Sequence, residues 1–265
     1  MKTLQMLFVG AFLIIGASSF ARPLPAAGRF VTLQQGEIEV AADLTLDLSK
    51  GRAGDGLSVD TGYYHDRHGG ISFAYGILDE VEFGAAISAA KWDRILGSEF
   101  GGLDLYGTWG FLPVLGLEVA MRVQGGSRAQ DIALVPGVRI GIPFRFALIE
   151  EVLAVFSRTD FTLAFRPGET GADWFTDAGA TFNLFPWLFA EGYVGFAKAL
   201  RGAGARPPLF GGPEPADGRF AIPVGLGAGA TLWRRLDLFA AFNLEDLRHR
   251  AADARTFTMT VRFRL

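Results

Sequence analysis

The chain contains no cysteine among its 265 residues. No disulfide framework supports the fold, and with no thiol to acylate the lipoprotein route is closed. Long apolar runs are equally scarce. The uncharged stretch Leu7 to Phe20 covers only 14 residues, whereas a membrane-spanning helix needs about 20. Beyond it, the best candidate, Phe144 to Phe156, is broken by Glu150 and Glu151, which excludes a helical membrane protein. Histidine is limited to His65, His68 and His249. With a formal net charge of -3 there is no basic surplus, so no nucleic-acid surface is expected.

What is present begins with Lys2, followed by the Leu7 to Phe20 run and by Ser19-Phe20-Ala21. A basic start, a short apolar core and small residues around a cut site read as a secretory signal peptide over residues 1–21, cleaved after Ala21. The 35 glycines and 24 phenylalanines form an unusual pairing for a soluble enzyme. Alternation with period two then dominates. From Glu37 to Leu48, Ile38, Val40, Ala42, Leu44, Leu46 and Leu48 share one face, while Glu37, Glu39, Asp43 and Asp47 share the other. A strand separates these groups completely; a helix would scatter them. The last segment repeats the pattern, with Phe257, Met259, Val261, Phe263 and Leu265 opposite Thr256, Thr258, Thr260, Arg262 and Arg264.

That amphipathic final strand resembles those of Gram-negative outer-membrane β-barrel proteins, which usually end in phenylalanine; here the last residue is Leu265, with Phe263 two before it. The turn Tyr75-Gly-Ile-Leu-Asp79-Glu-Val-Glu-Phe83 is similar to one common in porin-like barrels. The resemblance implies an all-β, closed, up-and-down antiparallel transmembrane barrel in the outer membrane, inserted by the barrel-assembly machinery, with short periplasmic turns and longer outer loops. Further short turns are expected at Trp109 to Pro113, Ala147 to Glu151, Leu184 to Trp187 and Trp233 to Leu236. Tyr75, Trp109, Phe111, Phe185, Trp187 and Trp233 flank them as an interfacial aromatic girdle.

With both chain ends on the periplasmic side, five internal turns imply twelve strands. A fourteen-strand alternative uses Phe30 to Leu33, and Leu57 to Tyr64 is placed as an extension above the membrane. Residues 22–35 are expected as an N-terminal periplasmic segment and 36–265 as the barrel. Pro136, Pro143 and Pro223 should mark bulges or strand ends. Inward and outward faces exchange near Phe156 to Arg158, which suggests a register slip.

The polar face supplies the candidate lumen. It carries Glu37, Glu39, Asp43, Asp47, Glu82, Asp104, Glu118, Asp160, Asp177, Glu191 and Asp237 against Arg122, Arg139, Arg145, Arg158, Arg262 and Arg264. The acid excess would mildly favour cations if the interior is open; a charge network that fills the interior is the bland alternative. If the first and last strands close the barrel, Glu37 and Glu39 should lie beside Arg262 and Arg264. Gly225-Leu-Gly227-Ala-Gly229 lacks the strand-turn-helix setting of a dinucleotide site, and its glycines are expected to face the lumen. His65-Asp66-Arg67-His68 is an incomplete metal shell.

A passive pore or solute channel, with no cofactor, is the leading functional reading. Its expected partners are outer-membrane lipid, the assembly machinery and a small solute or surface ligand. A plugged structural or adhesive barrel is the alternative, with Ala197 to Arg219 as its longest outer loop. An outer-membrane lipid-acting enzyme is a third class, in which His249 near Asp246 and Asp253 would supply a base, although no serine lies beside it.

Overall fold

Alternating apolar and polar residues can satisfy both lipid and lumen only if every strand finds a hydrogen-bonded neighbour on each side, and the chain meets this by closing on itself. A computed structural model describes residues 26–47, 70–93, 97–125, 134–166, 169–201, 220–233, 235–244, 247 and 255–265. The strands are β1 (Ile38–Asp47), β2 (Ile71–Leu78), β3 (Val81–Asp93), β4 (Gly97–Leu112), β5 (Leu115–Gly125), β6 (Leu134–Ile149) and β7 (Leu153–Arg166). They continue with β8 (Glu169–Phe185), β9 (Leu188–Arg201), β10 (Phe220–Ala221), β11 (Val224–Leu232), β12 (Leu236–Leu244) and β13 (Arg255–Arg264).

Each pairs antiparallel with its sequence neighbour, and β13 returns to β1 from Glu39↔Arg264 to Asp47↔Thr256. Ile38 and Leu265 exchange backbone bonds of 3.0 and 2.9 Å at the end of that seam. Both β10 and β11 pair with β9, through Ala221↔Ala197 and then Val224↔Val194. They are therefore one stave interrupted at Ile222 and Pro223, and the barrel has twelve staves. The five expected short turns all occur, at 79–80, 113–114, 150–152, 186–187 and 233–235. Glu151 and Trp233 sit in two of them with φ of 57° and 50°.

The wall sorts side chains by parity. Val40, Phe73, Phe83, Leu117, Val119, Ile140, Leu238 and Val261 are exposed, while their neighbours in sequence Ala41, Ala74, Glu82, Glu118, Arg139 and Asp237 are buried. The outward positions of β1, β2, β5 and β12 hold no Asp, Glu, Lys or Arg. Thr159 and Thr176 do face outward and bond to each other at 2.9 Å, which satisfies both hydroxyls away from water. The aromatic residues at the turns are exposed, with Trp109 tilted on Phe111 and Phe185 stacked on Trp187.

Several inward glycines have a local reason, which is to seat an aromatic ring. Inside the wall, Gly84 faces Tyr106, Gly179 faces Phe156, Gly225 faces Tyr193 and Gly229 faces Phe189 across paired strands. A Cβ at any of these glycines would overlap the facing ring. Gly227 is covered in the same way by Phe239, which stacks on Phe189 with centroids 5.7 Å apart. The rings fill space that other residues would give to their own side chains.

Four expectations need correction. The register does not slip at Phe156 to Arg158, because β7 pairs without a shift from Leu153 to Arg166 on β8; Phe156 faces inward because Gly179 leaves a seat for its ring. Pro143 makes no bulge: the β5–β6 rungs lapse between Glu118↔Gly141 and Leu115↔Phe144 and resume in the same register. Pro136 lies near the start of β6, before the first β7 rung at Gly137, and Pro223 marks the break in a stave. Phe30 to Leu33 form no strand, so the fourteen-strand alternative fails.

The fourth correction concerns residues 26–35, expected in the periplasm. Ala26, Ala27, Thr32 and Leu33 are buried, and the 3-10 turn Ala26–Gly28 packs against β7 and β8. The reversal occurs at Gly36, whose φ of +82° is open to glycine and strained for other residues. Its N–H donates to Gly76 O at 2.8 Å, and Glu37 N–H donates to Gln34 O at 3.0 Å. The segment is thereby folded back inside the wall, at the end that carries the short turns.

Candidate functional site

The interior holds two unlike groups of charges. Along β4 to β8 runs an arch of ion pairs built from alternate residues of neighbouring strands. Asp104 on β4 takes both Nε and Nη2 of Arg122 on β5, at 2.8 and 2.7 Å, in the two-pronged geometry that suits a guanidinium. Glu118 on β5 accepts from Arg139 Nη2 at 2.8 Å and from Arg158 Nη2 at 2.6 Å, and Thr108 adds a hydroxyl at 3.2 Å. Arg158 also donates Nε to both oxygens of Asp160 at 2.9 Å, and its backbone N–H donates to Asp177 at 2.8 Å. Gly141 lies beneath this junction, where a Cβ would press on Asp160 and Arg158. Glu118 is 0% exposed, and Asp104, Arg139 and Asp160 are also buried. Three acids and three arginines are thus joined by side-chain ion pairs, with Asp177 held on the Arg158 backbone beside them.

A cavity of about 110 Å³ lies at the short-turn end, lined from strands β1, β3, β6, β9, β12 and β13 and by Ala26 and residues 29–34. Its acids are Glu37, Glu39, Asp43, Glu82, Glu191 and Asp237, and its bases are Arg29, Arg145, Arg262 and Arg264. Six carboxylates against four guanidiniums leave two excess negative charges. At the closure seam Glu39 meets Arg264 at 2.6 Å and Arg262 at 3.6 Å. Glu37 does not join them; its carboxylate accepts the Gln34 N–H at 2.9 Å and supports the Gly36 reversal.

The inserted segment is tied at four points. Arg29 bonds Asp237 at 2.6 Å, Leu33 N–H donates to Glu82 at 3.0 Å, and the Thr32 hydroxyl donates to Asp79 O at 2.8 Å. Arg145 donates to Ala26 O at 2.6 Å and to Thr181, whose hydroxyl in turn donates to Glu191 at 2.8 Å. Burial, together with the cations of Arg264 and Arg262, pulls the Arg29 guanidinium down to about 10, although Asp237 opposes the shift.

Among the described residues, sequence reasoning missed two interior ions. Asp173 is buried on β8, which begins at Glu169 and not at Trp174; its parity with Asp177 is the signal that would have found it. Arg29 lies before the first strand, so no alternation points to it. The side chain of Asp47, the three histidines and most of the loop from Ala197 to Arg219 lie outside the described residues. Among the described residues no group of three His, Cys, Asp or Glu side chains is arranged to hold a metal.

A closed twelve-stave wall, apolar outside and ionic inside, has the fold of a porin-like β-barrel. No family model and no curated protein matches the chain. Solved structures do share its fold. One is the KdgM porin in complex with disordered oligogalacturonate, with a TM-score of 0.52 at 8% identity over 85% of this chain and 98% of that one. Another is an outer-membrane channel from Pseudomonas putida F1, with a TM-score of 0.52 at 11% identity over 91% of this chain and 98% of that one.

Proposed function

We propose that this chain is a passive outer-membrane channel whose lumen is mixed in charge and mildly acidic. The observation that carries the reading is the acidic cavity held within a closed wall, in an interior whose other charges are joined in an arch of ion pairs. Excess carboxylates attract cations and repel anions in a confined, low-dielectric passage. The fold shared with a porin and an outer-membrane channel supports the same reading. No chemistry and no cofactor is assigned; the partners proposed are membrane lipid along the apolar exterior, the barrel-assembly machinery, and a small solute.

Single-channel recording of the purified, folded chain in planar bilayers tests this. Discrete conductance steps with a modest cation preference under a KCl gradient are expected. A folded preparation that never conducts overturns the reading. It would favour a plugged barrel acting through its outer loops, for which the insertion of residues 26–34 is the supporting observation.

A further inference from the structure

Resting on the channel reading, we propose that residues 26–34 form the constriction of the passage and that Arg29 sets its ion preference. The wall is shaped to receive this segment. A Cβ at Gly76 would overlap the carbonyl of Gln34, and one at Gly116 would stand 2.9 Å from Val31 Cγ1. Side chains are thus omitted from the barrel where the segment passes, which a segment resting there by chance would not require. The ties come from several directions around the wall: Asp237 on β12, Glu82 on β3 and Arg145 on β6. A chain held from three sides of a barrel crosses its bore and does not line one wall.

Arg29 is the one basic residue between Ala26 and Glu37, and it enters a cavity with an acid excess. It lies within the narrowed zone, where the charge nearest the path weighs most on the passing ion. Asp237 offsets it directly through the 2.6 Å contact. The two residues therefore act on selectivity with opposite sign. Losing Arg29 raises the local acid excess by one charge, and losing the Asp237 charge lowers it by one.

The experiment compares the full chain, Arg29→Gln, Asp237→Asn and a chain lacking residues 26–34 in planar bilayers under a KCl gradient. Arg29→Gln is expected to shift the zero-current potential toward cations and Asp237→Asn away from them, while the deletion raises single-channel conductance. If the full chain conducts and the deletion and Arg29→Gln leave conductance and potential unchanged, the constriction lies elsewhere and the channel reading survives. If neither the full chain nor the deletion variant conducts, the channel reading fails and this inference with it. Val31→Cys combined with Gly116→Cys, in a chain with no other cysteine, gives an independent readout. Mild oxidation is expected to join the two thiols, because a Cβ at Gly116 would stand 2.9 Å from Val31 Cγ1. A folded double variant in which both thiols stay free and reactive overturns the insertion of the segment.

Discussion

Replacing Glu118 by glutamine removes one charge and little volume at the centre of the ionic arch. The carboxylate is 0% exposed and shares its Oε1 between Arg139 and Arg158. The variant leaves the three guanidiniums with side-chain ion pairs to Asp104 and Asp160 only, while Asp177 keeps the Arg158 backbone N–H. Removing one member of a buried pair costs about 3–5 kcal/mol, because the remaining charge stays desolvated. Asp160 still holds Arg158 at 2.9 Å and Asp104 still lies 3.6 Å from Arg139. Partial compensation sets the expected loss at about 3 kcal/mol, the lower end of that range. Were the arch bathed by lumen water, the same pairs would be screened and worth about 0–1 kcal/mol. Urea unfolding in lipid vesicles, followed by tryptophan fluorescence, separates the two cases. A loss below about 1 kcal/mol, or one that vanishes on adding salt, refutes a dry arch.

Other expectations are as direct. Gly84→Ala sets a methyl against the Tyr106 ring and should destabilise the barrel by about 1–3 kcal/mol, with partial recovery when Tyr106→Leu is added; equal stability of parent and Gly84→Ala would contradict the close approach. Glu151→Gly relieves a non-glycine residue at φ 57° and should raise the unfolding free energy by about 1 kcal/mol, read as a higher urea midpoint in the same titration. Arg264→Gln breaks the 2.6 Å contact with Glu39 at the closure seam. It should lower the temperature at which the folded gel band converts to the unfolded one, and an unchanged conversion temperature would show that the seam rests on backbone pairing alone.

Much of the wall was legible in the sequence because lipid and lumen impose opposite demands on alternate residues. Glu37 to Leu48 and Thr256 to Leu265 declare their faces without ambiguity, and the aromatic residues at Trp109, Trp187 and Trp233 mark the turns. Legibility fails where the third dimension supplies the reason. Phe156 breaks the outward pattern only because Gly179, on a neighbouring strand, gives its ring a place inside. The path of residues 26–35 depends on one positive φ at Gly36 and on receptors at Asp79, Glu82 and Asp237, dispersed along the chain. The charged interior residues were readable by parity, but their assortment was not. Which arginine Glu118 meets depends on the stagger between β5 and β7, across Gly141 on the intervening strand.

The aromatic rings seated over glycines also determine what a travelling molecule would encounter. A ring reclining where a neighbour has no side chain subtracts its thickness from the diameter and not its length. At these positions the room left inside the wall is thus set by main-chain geometry. A methyl added beneath Tyr193 or Phe189 would tip the ring toward the axis, so the glycines fix the clearance although they present no group of their own.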